Sequence, residues 1–269
     1  MYKRQLEAIA AEKAGIIKLG MPVVSSPQSP KVMAVFEAVA DKNSSRLIRV
    51  GSDVTWRGLG YDLGGQQLRV KGLLNRYELE IPLLGLHQLE NVATAVAALE
   101  LLIMKGYRIS PENIITGLKR VQWPGRFEIL SRDPLVIADG AHNRESVRRL
   151  RESLEHYFSP WSEIVAGQSL YCYRKSVLVI GVSADKDVDG IIAELGSYFD
   201  RVIVTGSHHP RAMPPEKLKD KFAKHSIKAE ISPNVLDALK MATRRSGDLV
   251  CVTGSLFVVG EARDEAARW

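Results

Sequence analysis

The sequence predicts an α/β protein whose second half is a mostly parallel sheet with helices on both faces. Three observations carry this. After Trp123, continuous apolar runs alternate with amphipathic stretches of helical period, the pattern of strands buried on both sides. The polar segments "ADGAHN", "GVSADKD", "TGSHHPR" and "TGS" all fall at the ends of those runs, where such sheets bind ligands. Before Trp123 the rhythm is different, with helices and a glycine-turned meander, so the chain divides into 1–122 and 123–269.

In order, a helix is expected over about 3–14, stopped by Gly15, then a strand over 21–25. "KVMAVFEAVA" is apolar at Val32, Val35, Phe36 and Val39 and reads as a helix, and "RLIRVG" as a strand. "YDLGGQQLRVKG" and "RYELEIPL" alternate as a β-meander. "HQLENVATAVAALELLIMKGY" is a long helix, apolar at Val92, Val96, Leu99 and Ile103. "SPENIITGLKRV" is a shorter one, with Ser110 as N-cap and Pro111 at its first position. Beyond "WPGR", strands are expected at 135–140, 176–183, 201–206, 228–232 and 249–255, and helices at 143–158, 188–198, 214–225 and 234–245.

Composition narrows the function. Apolar content of 45% and charged content of 25% are those of a globular protein, and the longest apolar run, 249–260, is too short to span a bilayer. The N-terminus has no signal-peptide pattern, and two cysteines without CxxC spacing argue against a disulfide framework or zinc site; a reducing cytoplasm fits. The net charge of +6 is dispersed and unaccompanied by a nucleic-acid motif, so neither nucleic acid nor membrane is an expected partner; a basic surface suits ATP equally well. GxGxxG after a strand and GxxxxGK[ST] are both absent.

Several residues are candidates for chemistry, each with an ordinary alternative. Asp139, His142 and Asn143 stand at a strand-to-helix junction, either an anion site or a capped turn with a solvated histidine. Arg126, after a Pro-Gly hinge, is a bidentate phosphate donor or an ion-pair partner. Gln88 and Asn91, at i and i+3, can read an adenine edge or cap the helix. Lys13 lies on the stripe of Leu6, Ile9, Ala10, Ala14 and Ile17; a lysine in a last turn complements the helix dipole and snorkels past apolar neighbours.

Taken together and in order, "IAAEKAGIIKLGMPVV", "HQLENVATAVAALE", "WPGRFEIL", "IADGAHN" and "VTGSLFVVGEAR" closely resemble the folylpolyglutamate synthase and dihydrofolate synthase family, relatives of the Mur ligases. The resemblance covers almost the whole chain. It implies the remainder of a Mur-ligase-type ATPase domain over 1–122, then a Rossmann-like, mostly parallel C-terminal domain over 123–269. The implied reaction uses ATP to activate a folate or dihydropteroate carboxylate as an acyl phosphate, which the amine of L-glutamate attacks. Gln88, Asn91, Arg126 and Asp139 are the implied ATP contacts, and His142 and Ser255 the residues near phosphate and incoming glutamate, with His142 catalytic. Lys13 corresponds to a lysine that the family carbamylates to supply an oxygen to Mg²⁺.

The family's P-loop, its magnesium-binding glutamate and a histidine precede the segment matched here. The resemblance therefore implies a C-terminal portion that does not ligate alone, either an excised piece, a degenerate remnant or a split gene's second half whose N-terminal half is a separate chain, with Lys13 an ordinary amine. A Mur-type peptidoglycan-precursor ligase and a non-catalytic binding module are the competing readings; the "EKAGI" form favours folate.

Overall fold

The computed structural model describes residues 2–160 and 171–269, and its contacts divide the chain into two compact units. The first holds the residues up to Pro82 together with Leu86–Val121; the second holds Leu83–Gly85 with Gln122–Trp269.

In the first unit, helix α1 (Tyr2–Ala14) packs on α2 (Pro30–Lys42), and strands β1 (Val23–Ser25) and β2 (Leu47–Arg49) pair in parallel. β3 (Thr55–Asp62), β4 (Gly65–Lys71) and β5 (Arg76–Ile81) form the antiparallel meander. Its alternation sends Leu68, Val70, Tyr77, Leu79 and Ile81 to the buried face and leaves Arg69 and Glu78 paired outside. The long helix α3 (Leu86–Met104) buries Leu89, Val92, Val96 and Leu101, and α4 (Pro111–Lys119) opens with a capping box of Ser110 and Asn113.

One residue on the apolar stripe of α3 is charged. Glu100 is fully buried and accepts from the N–H groups of Leu73, Leu74 (3.2 Å) and Asn75 (2.9 Å) and from the Tyr77 hydroxyl (3.0 Å). The carboxylate thus holds the β4–β5 turn against α3. A side chain at Gly72 would collide with it.

The packing face of α1 differs from the expected stripe. Ala10, Ala14 and Ile17 are buried, whereas Leu6 and Ile9 are about half exposed. Lys13 lies on the exposed side, its side chain 69% accessible, because α1 meets α2 through its small residues.

The second unit is built on a six-stranded sheet ordered β12-β11-β10-β13-β7-β6. β7 (Leu135–Ala138), β10 (Ser176–Ile180), β11 (Arg201–Val204), β12 (Ala229–Ile231) and β13 (Leu249–Thr253) are parallel, and β6 (Glu128–Arg132) is an antiparallel edge. Every residue of β7, β10 and β13 is buried, which is why these segments read as unbroken apolar runs. Helices α5 (Arg144–Tyr157), α6 (Val188–Leu195), α7 (Pro215–Lys224) and α8 (Val235–Ala242) connect them. A short parallel pair, β8 (Phe158–Pro160) with β9 (Tyr171–Tyr173), follows α5. A helix with no sequence expectation, α9 (Leu256–Ala266), buries Val258, Val259 and Ala262. Among the described residues no helix is long and apolar enough to cross a membrane.

Candidate functional site

The carboxyl ends of β7, β10, β11 and β13 carry the polar loops, and Asp139 organises the turn after β7. Its Oδ1 accepts from the Ala141 N–H and its Oδ2 from the Phe127 N–H, both at 2.8 Å. The carboxylate therefore ties the turn before β6 to the turn after β7, and Gly140 N–H to Gly125 C=O (2.8 Å) adds a second tie. Burial pushes the Asp139 carboxyl above its usual range; the two amide donors, then the charges of Arg126 and His142, pull it back.

Arg126 sits between two residues in the left-handed region, Gly125 (φ 72°) and Phe127 (φ 46°). Glycine is required at 125 on a second count, since a Cβ there would come within 2.9 Å of Val259. The turn is further held by the Gly125 N–H on Glu128 (2.7 Å), whose carboxylate pairs with Arg263. Arg126 is half-buried and makes no hydrogen bond or ion pair among the described residues. The turn fixes the backbone of this arginine, and its charge acts on the Asp139 carboxylate.

His142 has its Nδ1 2.8 Å from the Gly140 carbonyl. A carbonyl only accepts, so Nδ1 carries the hydrogen, and in the neutral ring Nε2 is the acceptor. Asn143 caps α5, its side chain accepting from Ser146 N–H at 2.9 Å while the Ser146 hydroxyl oxygen accepts from both His142 and Asn143. Ser255 is buried and caps α9, its Oγ accepting from Phe257 N–H at 3.1 Å, which leaves its own hydroxyl proton available.

Two further features of this rim were not anticipated. The buried hydroxyl of Thr253 donates to the carbonyl of Asp139 (2.7 Å), with that of Ala141 at 3.2 Å, locking β13 to the Asp139 turn. The ring of His209 stacks on Phe257 at 3.7 Å, and its Nδ1 accepts from Arg211 N–H (3.1 Å), which puts the proton of the neutral ring on Nε2. The "HH" pair in "TGSHHPR" was the readable signal for the latter; Thr253 lies in the "TGS" segment, but nothing in the sequence marked its hydroxyl as the tie to the Asp139 turn.

In the first unit, Asn91 Nδ2 donates to Gln88 Oε1 at 3.0 Å, and Gln88 Nε2 lies 3.2 Å from His87 Nε2. Gln88 is buried and Asn91 exposed, so Gln88 orients an amide that presents one acceptor and one remaining donor. That is the complement of an adenine edge. Lys13 is elsewhere in character: exposed, with Glu12 3.4 Å from its Nζ. Among the described residues no three His, Cys, Asp or Glu side chains group as metal ligands. Magnesium takes hard oxygen ligands in octahedral array. Two exposed neighbours on one helix end, Glu12 and Lys13, do not fit it.

Residues 125–256 match the family model described as Mur ligase, glutamate ligase domain. The chain is 31% identical to a dihydrofolate synthase/folylpolyglutamate synthase of Mycobacterium tuberculosis, over 96% of this chain and 56% of that protein. It is 28% identical to the Bacillus subtilis protein of the same name, over 96% and 57%. Among solved structures, M. tuberculosis folylpolyglutamate synthase complexed with ADP and AMPPCP aligns with a TM-score of 0.83 at 31% identity, covering 98% of this chain and 60% of that one. Escherichia coli FolC in complex with DHPP and ADP aligns at 0.76 and 25%, covering 98% and 57%. The chain thus spans little more than half the length of these relatives. Similarity of sequence and of fold runs along nearly all of its residues: the chain resembles folylpolyglutamate and dihydrofolate synthases, and its residues 125–256 match the Mur ligase glutamate ligase domain.

Proposed function

We propose that the chain is the glutamate-side portion of an ATP-dependent folate–glutamate ligase: the last part of the ATPase domain over 1–122 and the C-terminal domain over 123–269. The observation that carries this is the rim at Asp139, where an arginine that makes no hydrogen bond or close ion pair among the described residues and a histidine with an open Nε2 flank one buried carboxylate. In the reaction, glutamate nitrogen bonds to the carbonyl carbon of an acyl phosphate, the carbon–phosphate oxygen bond breaks, and phosphate leaves with the electron pair. The attacking nitrogen must lose a proton, and His142 Nε2 is the acceptor we assign to it. Arg126 would take the charge on the phosphate, and Asp139 acts by fixing the Arg126 turn. The Ser255 hydroxyl would donate to a glutamate carboxylate at the N-terminus of α9, where the helix dipole favours an anion.

The amide pair Gln88–Asn91 is assigned to the adenine of ATP. Lys13 is the position that the resemblance assigns to a carbamylated magnesium ligand; exposed and beside Glu12 alone, it does not fit that role and takes no part in the steps assigned above. The structures of relatives with ADP, and of one with DHPP, support the nucleotide and the pterin substrate. The test is ligation by the complete gene product with dihydropteroate, tetrahydrofolate and a UDP-linked peptidoglycan precursor. Glutamate-dependent ADP release with either pterin is expected, cut by orders of magnitude in Arg126→Ala and His142→Ala. Turnover with the UDP-linked precursor alone, or unchanged kinetics in both variants, would overturn the assignment.

A further inference from the structure

The parallel sheet of the second unit has another polar rim, at the amino ends of its strands. There the segments entering β10, β11 and β13 and the loop after α8 enclose a cavity of about 450 Å³. Four of its lining side chains are cations, Lys175, Arg201, Arg244 and Arg245, and two are acids, Asp200 and Asp248.

The acids offset the cations only in part. Asp200 Oδ2 is taken by the N–H and hydroxyl of Ser176, and its Oδ1 lies 3.7 Å from Lys175. Asp248 is buried, and burial pushes its carboxyl upward, while the charges of Arg245 and Arg174 and the Lys175 N–H pull it back in part; one carboxylate is shared among these cations. Arg201 is already satisfied, bidentate to Glu230 at 2.6 and 2.8 Å and donating to the Met241 carbonyl at 2.9 Å. That last bond also meets the negative end of α8. Arg244 and Arg245 remain, adjacent in sequence, exposed, and without a hydrogen bond or ion pair among the described residues.

Their loop is anchored on both sides. The Asp133 carboxylate accepts from the Ser246 hydroxyl and the Gly247 N–H, and Arg174 N–H donates to the Gly247 carbonyl at 2.9 Å. Gly247, at φ +80°, reverses the chain there. One wall of the cavity is apolar, formed by Val177, Met241 and Ala242.

We propose that this cavity binds a small molecule bearing two linked phosphates, which Arg244, Arg245 and Lys175 hold while its uncharged body lies on Val177 and Met241. Two neighbouring guanidinium forks match two phosphates better than one, and a multiply charged anion relieves their mutual repulsion. Ligands of parallel sheets ordinarily bind at the carboxyl ends. Strands of five residues place the two rims on the order of 16 Å apart, so this site and the Asp139 rim can be filled independently. The proposal does not depend on the ligase reading.

The test is calorimetric titration of the 269-residue chain with inorganic pyrophosphate, orthophosphate and citrate at low salt. Pyrophosphate is expected to saturate one site about tenfold more tightly than orthophosphate. Arg244→Gln with Arg245→Gln should weaken it about tenfold or more. Binding should survive Arg126→Gln. In the unsubstituted protein, pyrophosphate should shift the amide resonances of Ser246 and Gly247, a readout that needs no variant to fold. No saturable pyrophosphate binding, binding lost in Arg126→Gln but kept in the double variant, unmoved Ser246 and Gly247 resonances, or citrate binding as tightly as pyrophosphate would each overturn it.

Discussion

Replacing Glu100 by glutamine changes one atom in a fully buried side chain and tests what holds the meander to α3. The carboxylate satisfies four donors, the amides of Leu73 and Leu74 on Oε2 and the Asn75 amide and Tyr77 hydroxyl on Oε1. Glutamine keeps one oxygen and turns an NH₂ toward the other pair of donors, so two hydrogen bonds are lost and donor faces donor. Bonds to a charged acceptor contribute about 1.5–3 kcal/mol each, and an unsatisfied buried donor costs about 1–3 kcal/mol. Relief from burying a charge returns part of this, leaving a net cost of about 3 kcal/mol. Hydrogen exchange at Leu73, Leu74 and Asn75 reads it locally, and that cost predicts about a hundredfold loss of protection. Tyr77→Phe removes one bond and should lose about tenfold or less. Protection in Glu100→Gln within about threefold of the parent would refute the reasoning, because that corresponds to under ~1 kcal/mol.

Gly254 stands at φ +98°, and a Cβ there would lie 2.7 Å from the Gly181 carbonyl oxygen and 2.9 Å from Ile180; Gly254→Ala should destabilise the second unit by about 2 kcal/mol or more in urea unfolding. Ser255→Ala removes the cap of α9 and should cost about 1 kcal/mol in the same assay. A loss of ligation in that variant beyond the stability cost would separate its substrate role from its capping role. Arg201 holds the Glu230 carboxyl below its ordinary value of 4.5, so the unfolded chain takes up that proton first as pH falls. The stability it contributes is present above that ordinary value and is lost as pH drops through the folded one. Glu230→Gln should flatten the acid limb of a stability–pH curve, by under about 1 kcal/mol because the pair is partly exposed.

The second unit was legible because its strands are buried on both faces: unbroken runs such as "LVIA" and "SVLVI" admit few other readings once helices of the right length separate them. The same continuity hid α9. "LFVVG" extends the β13 run without a change of period, and only the geometry of Gly254 and the Ser255 cap shows where strand becomes helix. The stripe on α1 was misjudged because periodicity marks several apolar residues without saying which neighbour they meet; α2 takes the small ones. At the site, residue types were readable but their division of labour was not. Asp139 holds a turn through backbone amides, a role that depends on the left-handed Phe127, and no side-chain pattern encodes that. Glu100 was visible as a charge on the Val92–Val96 stripe, four residues past Val96, yet its partners lie in a turn 25 to 27 residues away.

The second unit is discontinuous: Leu83–Gly85 belongs to it, the chain then supplies α3 and α4 to the first unit, and it returns at Gln122. Within that unit the Gly85 N–H donates to the Tyr157 hydroxyl across 72 residues. Closing a flexible loop of that length costs about 4 kcal/mol in chain entropy. When α3 and α4 are already folded, much of the loop is no longer flexible, and the cost falls. The order of assembly is thereby biased during synthesis: the meander and its two helices emerge first and shorten the search that the later half must make. Loss of the helical order of α3 and α4 would restore the full entropic cost to the second unit while leaving every one of its own contacts chemically intact.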